Sequence, residues 1–186
     1  MIPLTVVTAT IPERIDLLHE LRQSIATQTV RPKWLVETDW DRQGPAKVIN
    51  RLVDEVDTEW VFRCDDDDLF DPTHFETIAA NLSDAADIVY TWPRIDPPGH
   101  FEHPEALQGV RPLNTLRELN WIASAAAIRV SFWRQLGGLR DVEDEDHDFW
   151  LRALDAGARW RCVPEVTWTY RMGDWEHRSS REAADA

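Results

Sequence analysis

The chain has 186 residues, of which 43% are hydrophobic, and it carries a formal net charge of -14. The length suits one domain with a substantial core, and the strong negative charge argues against a surface that binds nucleic acid. No apolar run approaches the roughly 18 residues of a membrane-spanning helix, and the first residues lack the features of a secretory signal. We therefore expect a soluble, cytoplasmic protein in which Cys64 and Cys162 are reduced thiols.

The first half of the chain alternates strand-like and helix-like segments. Short β-branched and apolar runs predict strands, and apolar stripes at helical spacing predict the helices between them. Turn signals mark the helix starts, among them the capping-box spacing from Thr10 to Glu13 and the pairs Gly44-Pro45 and Asp71-Pro72. The predicted strands cover residues 3–8, 33–37, 60–64 and 88–92, and predicted helices follow the first three of them. This order predicts an α/β fold with a mostly parallel sheet flanked by helices on both faces.

The second half begins with a proline-rich stretch, residues 93–112, which we interpret as a long ordered loop over the crevice of the sheet. After it, residues 121–128 predict a strand and residues 131–136 a short helix. An acidic run then opens a helix that stops at Gly157. Residues 159–163 and 166–171 predict two further strands, and the residues after Arg178 have the character of a frayed tail.

Four consecutive aspartates, Asp65 to Asp68, follow the third predicted strand. In an extended backbone alternate side chains share a face, so Asp65 and Asp67 are expected to converge on one side. Carboxylates this close repel one another unless a cation lies between them, and clustered oxygen ligands suit Mg²⁺ or Mn²⁺. The alternative is a solvated acidic turn. The ends of the first two strands are also polar, so the three ends together predict a ligand crevice at the carboxyl edge of the sheet.

These motifs are the basis for a resemblance to a known family. Besides the four aspartates, the chain has Val6-Val7-Thr8-Ala9-Thr10 before a helix that ends at Gln28-Thr29, and the run from Glu145 to Arg152 leads on to Tyr170-Arg171. In these features the chain resembles, over nearly its whole length, the family 2 glycosyltransferases with the GT-A fold. The resemblance implies one domain over residues 1–178, with a nucleotide-binding half at 1–92, an acceptor and catalytic half at 93–178, and a flexible tail at 179–186.

The resemblance also implies roles for individual residues. Asp65 and Asp67 correspond to an Asp-x-Asp motif that holds the ribose and a divalent metal, Mn²⁺ or Mg²⁺, on the diphosphate of a nucleotide sugar, and a UDP-sugar is the expected donor. Asp146 corresponds to the catalytic base, and His177 is either a third metal ligand or a surface histidine. The residues expected around the nucleotide are Thr8, Thr10, Asp39, Asp41, Lys47, Asp65 and Asp66.

The chemistry of sugar transfer calls for the same kinds of group. The diphosphate leaving group needs its charge neutralised, which a metal between two aspartates does, and the acceptor hydroxyl must lose its proton to a base. Asp146 has the type and position of that base. A single base opposite the leaving group predicts inversion at the anomeric carbon. On the alternative interpretation, Asp146 only interacts favourably with the dipole at a helix start.

Two other functions are compatible with the sequence. A nucleotidyltransferase can share the aspartate-bearing strand end, although residues 8–14 lack a glycine-rich basic phosphate loop. A catalytically silent module would use the acidic cluster for Ca²⁺ and a tryptophan-rich surface for carbohydrate, with Trp92 and Trp121 as candidate stacking platforms. The sequence specifies neither the sugar, the base and the hydroxyl-bearing acceptor nor the oligomeric state.

Overall fold

A seven-stranded sheet lies at the centre of the computed structural model, which describes residues 2–97 and 107–172. Its strands are β1 (Leu4–Thr10), β2 (Lys33–Thr38), β3 (Trp60–Arg63), β4 (Leu69–Phe70), β5 (Ile88–Asp96), β6 (Ala126–Arg129) and β7 (Trp160–Arg171). Across the sheet they lie in the order β2-β1-β3-β6-β5-β7-β4.

Most of the strand pairing is parallel, as the sequence predicts. Strand β1 is parallel to β2 and to β3, and β5 is parallel to β7 along its whole length. By contrast, β6 runs antiparallel to both of its neighbours, β3 and β5, and the short β4 is antiparallel to β7. The antiparallel insertion of β6 was not predicted, because apolar periodicity carries no information about strand direction.

Helices cover both faces of the sheet. They are α1 (Ile15–Ala26), α2 (Pro45–Asp54), α3 (His74–Asn81), α4 (Val130–Leu136) and α5 (Glu145–Asp155). Helices α2, α4 and α5 pack around Val61 on one face, whereas α1 and α3 pack around Phe62 on the other. The two core clusters lie on opposite faces because successive side chains of a strand alternate.

The packing around Phe62 fixes the end of β3, where the chain turns into the aspartates. Phe62 is fully buried, and its ring meets those of Phe70, His74 and Phe75 at centroid distances of 5.7, 5.2 and 5.2 Å, all nearly edge to face. Each such pair adds about 0.5–1.5 kcal/mol beyond simple burial. The turn after β3 is therefore held on a rigid base formed by β4 and the start of α3.

The start of α1 differs from the prediction. Thr10 is the last residue of β1 rather than a helix cap, and a short 3-10 turn over Pro12–Arg14 comes before the helix, which begins at Ile15. The Thr10 hydroxyl donates instead to the carboxylate of Asp66, 56 positions away in sequence, at 2.6 Å. The capping-box prediction was wrong because a tertiary partner outcompetes the local backbone for that hydroxyl.

Three segments of the second half also differ in extent. Residues 93–96, predicted as loop, continue β5 after a register shift between Thr91 and Pro93. Such an irregularity allows a proline, which has no N–H to donate, to lie within a paired strand. The two strands predicted over 159–171 form the single strand β7, and the strand predicted over 121–128 is reduced to β6.

Two smaller expectations concern the cysteines and the helices. Cys64 and Cys162 are free thiols, the first buried and the second partly buried. Among the described residues, no helix combines the length and the apolar character needed to cross a membrane.

Candidate active site

A cleft with a volume of about 470 Å³ opens where β1 and β3 end and α5 begins. Its lining is strongly acidic, with three arginines among the carboxylates. The lining residues are Ala9, Thr10, Ile11, Arg14, Asp39, Pro45, Arg63, Asp65, Asp66, Asp67, Glu143, Asp144, Glu145, Asp146, Tyr170 and Arg171. The cleft therefore lies at the carboxyl ends of parallel strands, where ligands bind in open α/β sheets.

The four aspartates form a turn rather than a continuation of the strand, so the expected alternation of faces does not apply. Three of them line the cleft, and Asp68 points into the protein interior. One oxygen of Asp68 accepts the backbone N–H of Asp65 at 3.0 Å, and its other oxygen is buried with no hydrogen-bond partner from any described residue. Burial raises the pKa of Asp68 well above its usual range, with the charges of Asp65 and Asp67 adding to the effect. Asp68 therefore closes the turn.

Asp66 and Asp67 share one guanidinium. Nη2 of Arg14 lies 2.6 Å from Oδ1 of Asp66 and 2.5 Å from Oδ2 of Asp67. Asp66 also accepts the Thr10 hydroxyl at 2.6 Å. Burial raises the pKa of Asp66 to about 7, although Arg14 and Thr10 act in the opposite direction. A positive charge already stands between two of the carboxylates.

Asp65 is connected to the start of α5 through Arg63. Nη2 of Arg63 donates to Asp65 at 3.3 Å and to Glu145 at 2.8 Å, while Ser124 donates to the second oxygen of Asp65 at 2.8 Å. Burial lowers the pKa of Arg63, but the charges of Asp65, Glu145 and Asp146 outweigh that effect and the net pKa is raised. Arg63 therefore stays charged and joins the aspartate turn to α5.

Asp146 lies in the first turn of α5 and lines the cleft together with three of the aspartates that follow β3. Oδ1 accepts the backbone N–H of His147 at 2.7 Å, and Oδ2 lies 3.4 Å from the side-chain amide of Asn120. Phe149 and Trp150, the next inward residues of the helix, are buried in the core. A carboxylate here interacts favourably with the helix dipole, and its partial exposure in the cleft leaves it accessible to a ligand.

Three of the residues expected around the nucleotide lie outside the cleft lining. Thr8 is fully buried, with its hydroxyl 3.1 Å from both the Cys64 sulfur and the indole nitrogen of Trp34. Asp41 is exposed beyond the end of β2. Lys47, also exposed, lies in the first turn of α2 with its amine 3.4 Å from Asp141.

Asp39 does line the cleft, but its carboxylate is already engaged. Oδ1 accepts the backbone N–H of Gln43 at 2.9 Å and Oδ2 that of Gly44 at 2.8 Å, so Asp39 holds the turn that leads into α2. Thr10 reaches the cleft through its bond to Asp66. His177, the third expected metal ligand, lies outside the described residues.

Arg14 and Arg63 were not predicted as residues of the site. A signal existed for Arg63, because a charged residue at the end of an otherwise apolar buried strand requires a charged partner. Since side chains alternate, Arg63 lies on the same face as Val61, and that is the face covered by α5. Arg14 had no comparable signal, because the turn that carries it was predicted as an ordinary helix start.

The cleft offers oxygen donors for a hard divalent cation, chiefly the carboxylates of Asp65 and Asp67. Within the part of the chain that the structure describes, no group of three or more His, Cys, Asp or Glu side chains could hold a metal by itself. That arrangement fits an ion of the Mg²⁺ type, which proteins commonly bind through one or two carboxylates together with phosphates of the ligand.

Comparisons with known proteins identify the family and the fold. The family model described as glycosyl transferase family 2 matches residues 19–134. The chain belongs to glycosyltransferase family 2. No curated protein sequence matches it significantly.

Solved structures resemble this family 2 chain closely in fold and only weakly in sequence. S. aureus TarS 1-349 in complex with UDP-GlcNAc superposes with a TM-score of 0.77 at 16% identity, covering 95% of this chain and 60% of TarS 1-349. A mannosyltransferase from Pyrobaculum calidifontis, PcManGT, in complex with GDP-Man and Mn²⁺, superposes with a TM-score of 0.66 at 16% identity. The match covers 99% of this chain and 64% of PcManGT. The predicted GT-A fold is confirmed, and the chain spans less than two thirds of either relative.

Proposed function

We propose that this chain is an inverting, divalent-metal-dependent glycosyltransferase that moves a sugar from a nucleotide diphosphate to an acceptor hydroxyl. The observation that carries the proposal is the geometry of the cleft. Asp65, Asp67 and Asp146 all line it, and the ion pairs of Arg63 with Asp65 and Glu145 join the aspartate turn to the start of α5. Family membership and the ligands of the two relatives, UDP-GlcNAc and GDP-Man, support a nucleotide-sugar donor.

In the proposed reaction the acceptor oxygen forms a bond to the anomeric carbon while the bond from that carbon to the diphosphate breaks. Asp146 takes the proton of the acceptor hydroxyl as attack develops. A single base that acts on the face of the sugar opposite the leaving group inverts the anomeric configuration, and Asp146 is the residue that we propose for this role. We take Asp146 as the only catalytic residue among the described residues.

The leaving group needs positive charge, since the cleft is acidic. Asp65 and Asp67 would hold Mn²⁺ or Mg²⁺, which when bound neutralises the departing diphosphate. PcManGT was solved with Mn²⁺, which supports a divalent cation in this family. Asp66 and Thr10 border the same position, and a UDP-sugar is the donor that we propose. The chain's own arginines then complete the neutralisation.

A thermal-shift panel of UDP, GDP, dTDP and CMP, each with and without Mn²⁺, tests the proposal. We expect at least one nucleoside diphosphate to raise the melting temperature only when the metal is present, because a ligand that binds only the folded state stabilises it by mass action. Asp67→Ala should abolish this stabilisation. Asp57→Ala is the matched control, since Asp57 is an exposed aspartate paired with Lys33 outside the cleft.

The base is tested separately, by the steady release of nucleoside diphosphate from the nucleotide sugar when water replaces the acceptor. Asp146→Asn should keep the metal-dependent thermal shift and lose turnover by about 10²–10⁴-fold, the usual contribution of a general base. If Asp67→Ala, Asp146→Asn and the wild type bind nucleotide equally and turn over equally, the assignment of both residues is wrong.

A further inference from the structure

The cation between Asp66 and Asp67 is an arginine of the chain itself, Arg14. Its Nη2 contacts both carboxylates, at 2.6 and 2.5 Å, and its Nε is buried with no hydrogen-bond partner among the described residues. The guanidinium therefore acts here as a single charged point rather than as a fork.

Two arginines outside the cleft lining use the fork, whereas Arg63 inside it also bridges two carboxylates, Asp65 and Glu145, through one nitrogen. Arg159 donates to Asp87 through Nε at 2.8 Å and Nη2 at 2.6 Å, and Arg94 donates to Asp71 through Nη1 and Nη2, both at 2.8 Å. Paired donation of this kind adds both energy and directional specificity. Arg14 does not donate in this paired way to Asp66 or Asp67. Instead, one of its nitrogens bridges the two carboxylates, as a metal ion would.

A second arginine with spare hydrogen-bonding capacity lies beside it. Nε of Arg171 donates to the backbone carbonyl of Asp67 at 2.5 Å, and Nη1 pairs with Glu20. The remaining Nη2 is buried without an acceptor within residues 2–97 and 107–172. Buried donors without a partner cost about 1–3 kcal/mol each, so Nε of Arg14 and Nη2 of Arg171 are prepared to meet an anionic ligand in the cleft.

We propose that Arg14 is the counter-ion of Asp66 and Asp67 in the free protein and transfers to the diphosphate of the ligand when a divalent cation takes its place. This inference rests on the proposed function for the identity of the ligand. The inference predicts how metal and ligand affect each other's binding. Metal alone must compete with Arg14 for the two carboxylates, whereas metal together with a diphosphate provides the displaced guanidinium with a new partner. Metal and nucleotide should therefore bind synergistically.

The first half of the inference is that Arg14 competes with the divalent cation. To test it, Mn²⁺ alone is titrated into the free protein, and the electron paramagnetic resonance of the unbound ion reports binding. Arg14→Gln removes the competitor, so we expect its dissociation constant for Mn²⁺ to fall about tenfold or more. Arg14→Lys keeps the charge and should stay near the wild type. Arg94→Gln is the control, because it removes the same charge and frees Asp71 outside the cleft lining.

The second half of the inference is that Arg14 transfers to the diphosphate. Binding of UDP, GDP and dTDP in saturating Mn²⁺ tests it. Arg14→Gln should weaken whichever diphosphate the wild type binds by about tenfold. In the wild type, the side-chain ¹⁵N resonances of Arg14 should move when Mg²⁺ and that diphosphate are added. Apart from the assignment of these resonances, the measurement does not depend on any variant that must fold. Unmoved resonances, or an Arg14→Gln affinity for Mn²⁺ equal to that of Arg94→Gln, would overturn the inference.

The outcomes separate this inference from the proposed function. If the wild type binds no diphosphate in Mn²⁺, the proposed function fails, while the titration with Mn²⁺ alone still decides whether Arg14 blocks the cation. If diphosphates bind and Arg14→Gln changes neither affinity, only the role of Arg14 is wrong. Tighter Mn²⁺ binding with unchanged diphosphate affinity would overturn the transfer of Arg14 to the ligand.

Discussion

The buried histidine His74 should make the stability of this protein depend on pH. The side chain has no exposed surface, and its ring lies 4.6, 4.8 and 5.2 Å from the rings of Phe70, Phe75 and Phe62. Nδ1 lies 2.7 Å from the Thr167 hydroxyl, whereas Nε2 has no hydrogen-bond partner in the part of the chain that the structure describes. Burial lowers the pKa of His74 from 6.5 to about 3, only weakly opposed by Asp71.

The sign of the effect follows from the protons bound in each state. Between about pH 3 and pH 6.5 the unfolded chain holds a proton on this ring that the folded protein cannot accept. Stability therefore rises with pH across that window and falls as the solution is acidified. At pH 5 the loss is about 2 kcal/mol, and it approaches about 5 kcal/mol at lower pH. Asp66, with its pKa raised to about 7, acts in the opposite direction over an overlapping range.

A difference measurement isolates the histidine, because Asp66 is present in both proteins compared. We propose urea unfolding of the wild type and His74→Asn at pH 7.5, 6.5, 5.5 and 5.0. Asparagine keeps a donor near Thr167 and does not titrate, so between the extremes the wild type should lose about 2 kcal/mol more than the variant. His19→Asn, on the exposed face of α1, controls for the loss of any histidine. Equal losses in the wild type and His74→Asn would refute the reasoning.

Two further predictions concern stability. A side chain at Gly138, where φ is +72°, would overlap Oδ1 of Asn50 and break the bonds of Asn50 to Leu139, whereas nothing lies within 4 Å at Gly137, where φ is +78°. Gly138→Ala should therefore lower the unfolding free energy by about 2 kcal/mol more than Gly137→Ala, and equal losses in a urea titration would contradict this. Arg63→Met should cost about 3–5 kcal/mol by leaving carboxylates without a counter-ion, with Arg63→Lys less damaging in the same titration; a cost within error of zero would mean that the ion pairs carry no stability.

Local sequence patterns predicted the helices and strands well, because these elements arise from short-range constraints. The alternating strands and helices and the acidic start of α5 follow from residues close together in sequence, whereas the turn formed by the four aspartates does not continue the extended backbone that was expected. The family membership and the GT-A fold were confirmed by the comparisons. The nucleotide, metal and base assignments stay predictions, to be decided by the experiments above.

The features that the sequence did not predict depend on contacts between residues far apart in the chain. The Thr10 hydroxyl and its partner Asp66 are 56 positions apart, and Arg63 and Glu145 are 82 apart, so no window of sequence relates either pair. The direction of β6 and the continuity of β5 through Pro93 depend on neighbouring strands that the pattern does not reveal. What was missed in the cleft, Arg14 above all, is defined only once the fold has brought β1 beside β3.

The position of β5 has a consequence for biosynthesis. Its hydrogen-bonded neighbours are β6 and β7, which begin at Ala126 and Trp160, and β3 reaches β5 only through β6. As the polypeptide leaves the ribosome, β5 has no edge to join until Ala126–Arg129 has emerged, and its other edge stays open until Trp160–Arg171 follows. Severing the chain near residue 97 would leave each fragment with an open sheet edge, so neither should fold alone, whereas the two pieces produced together can complement one another.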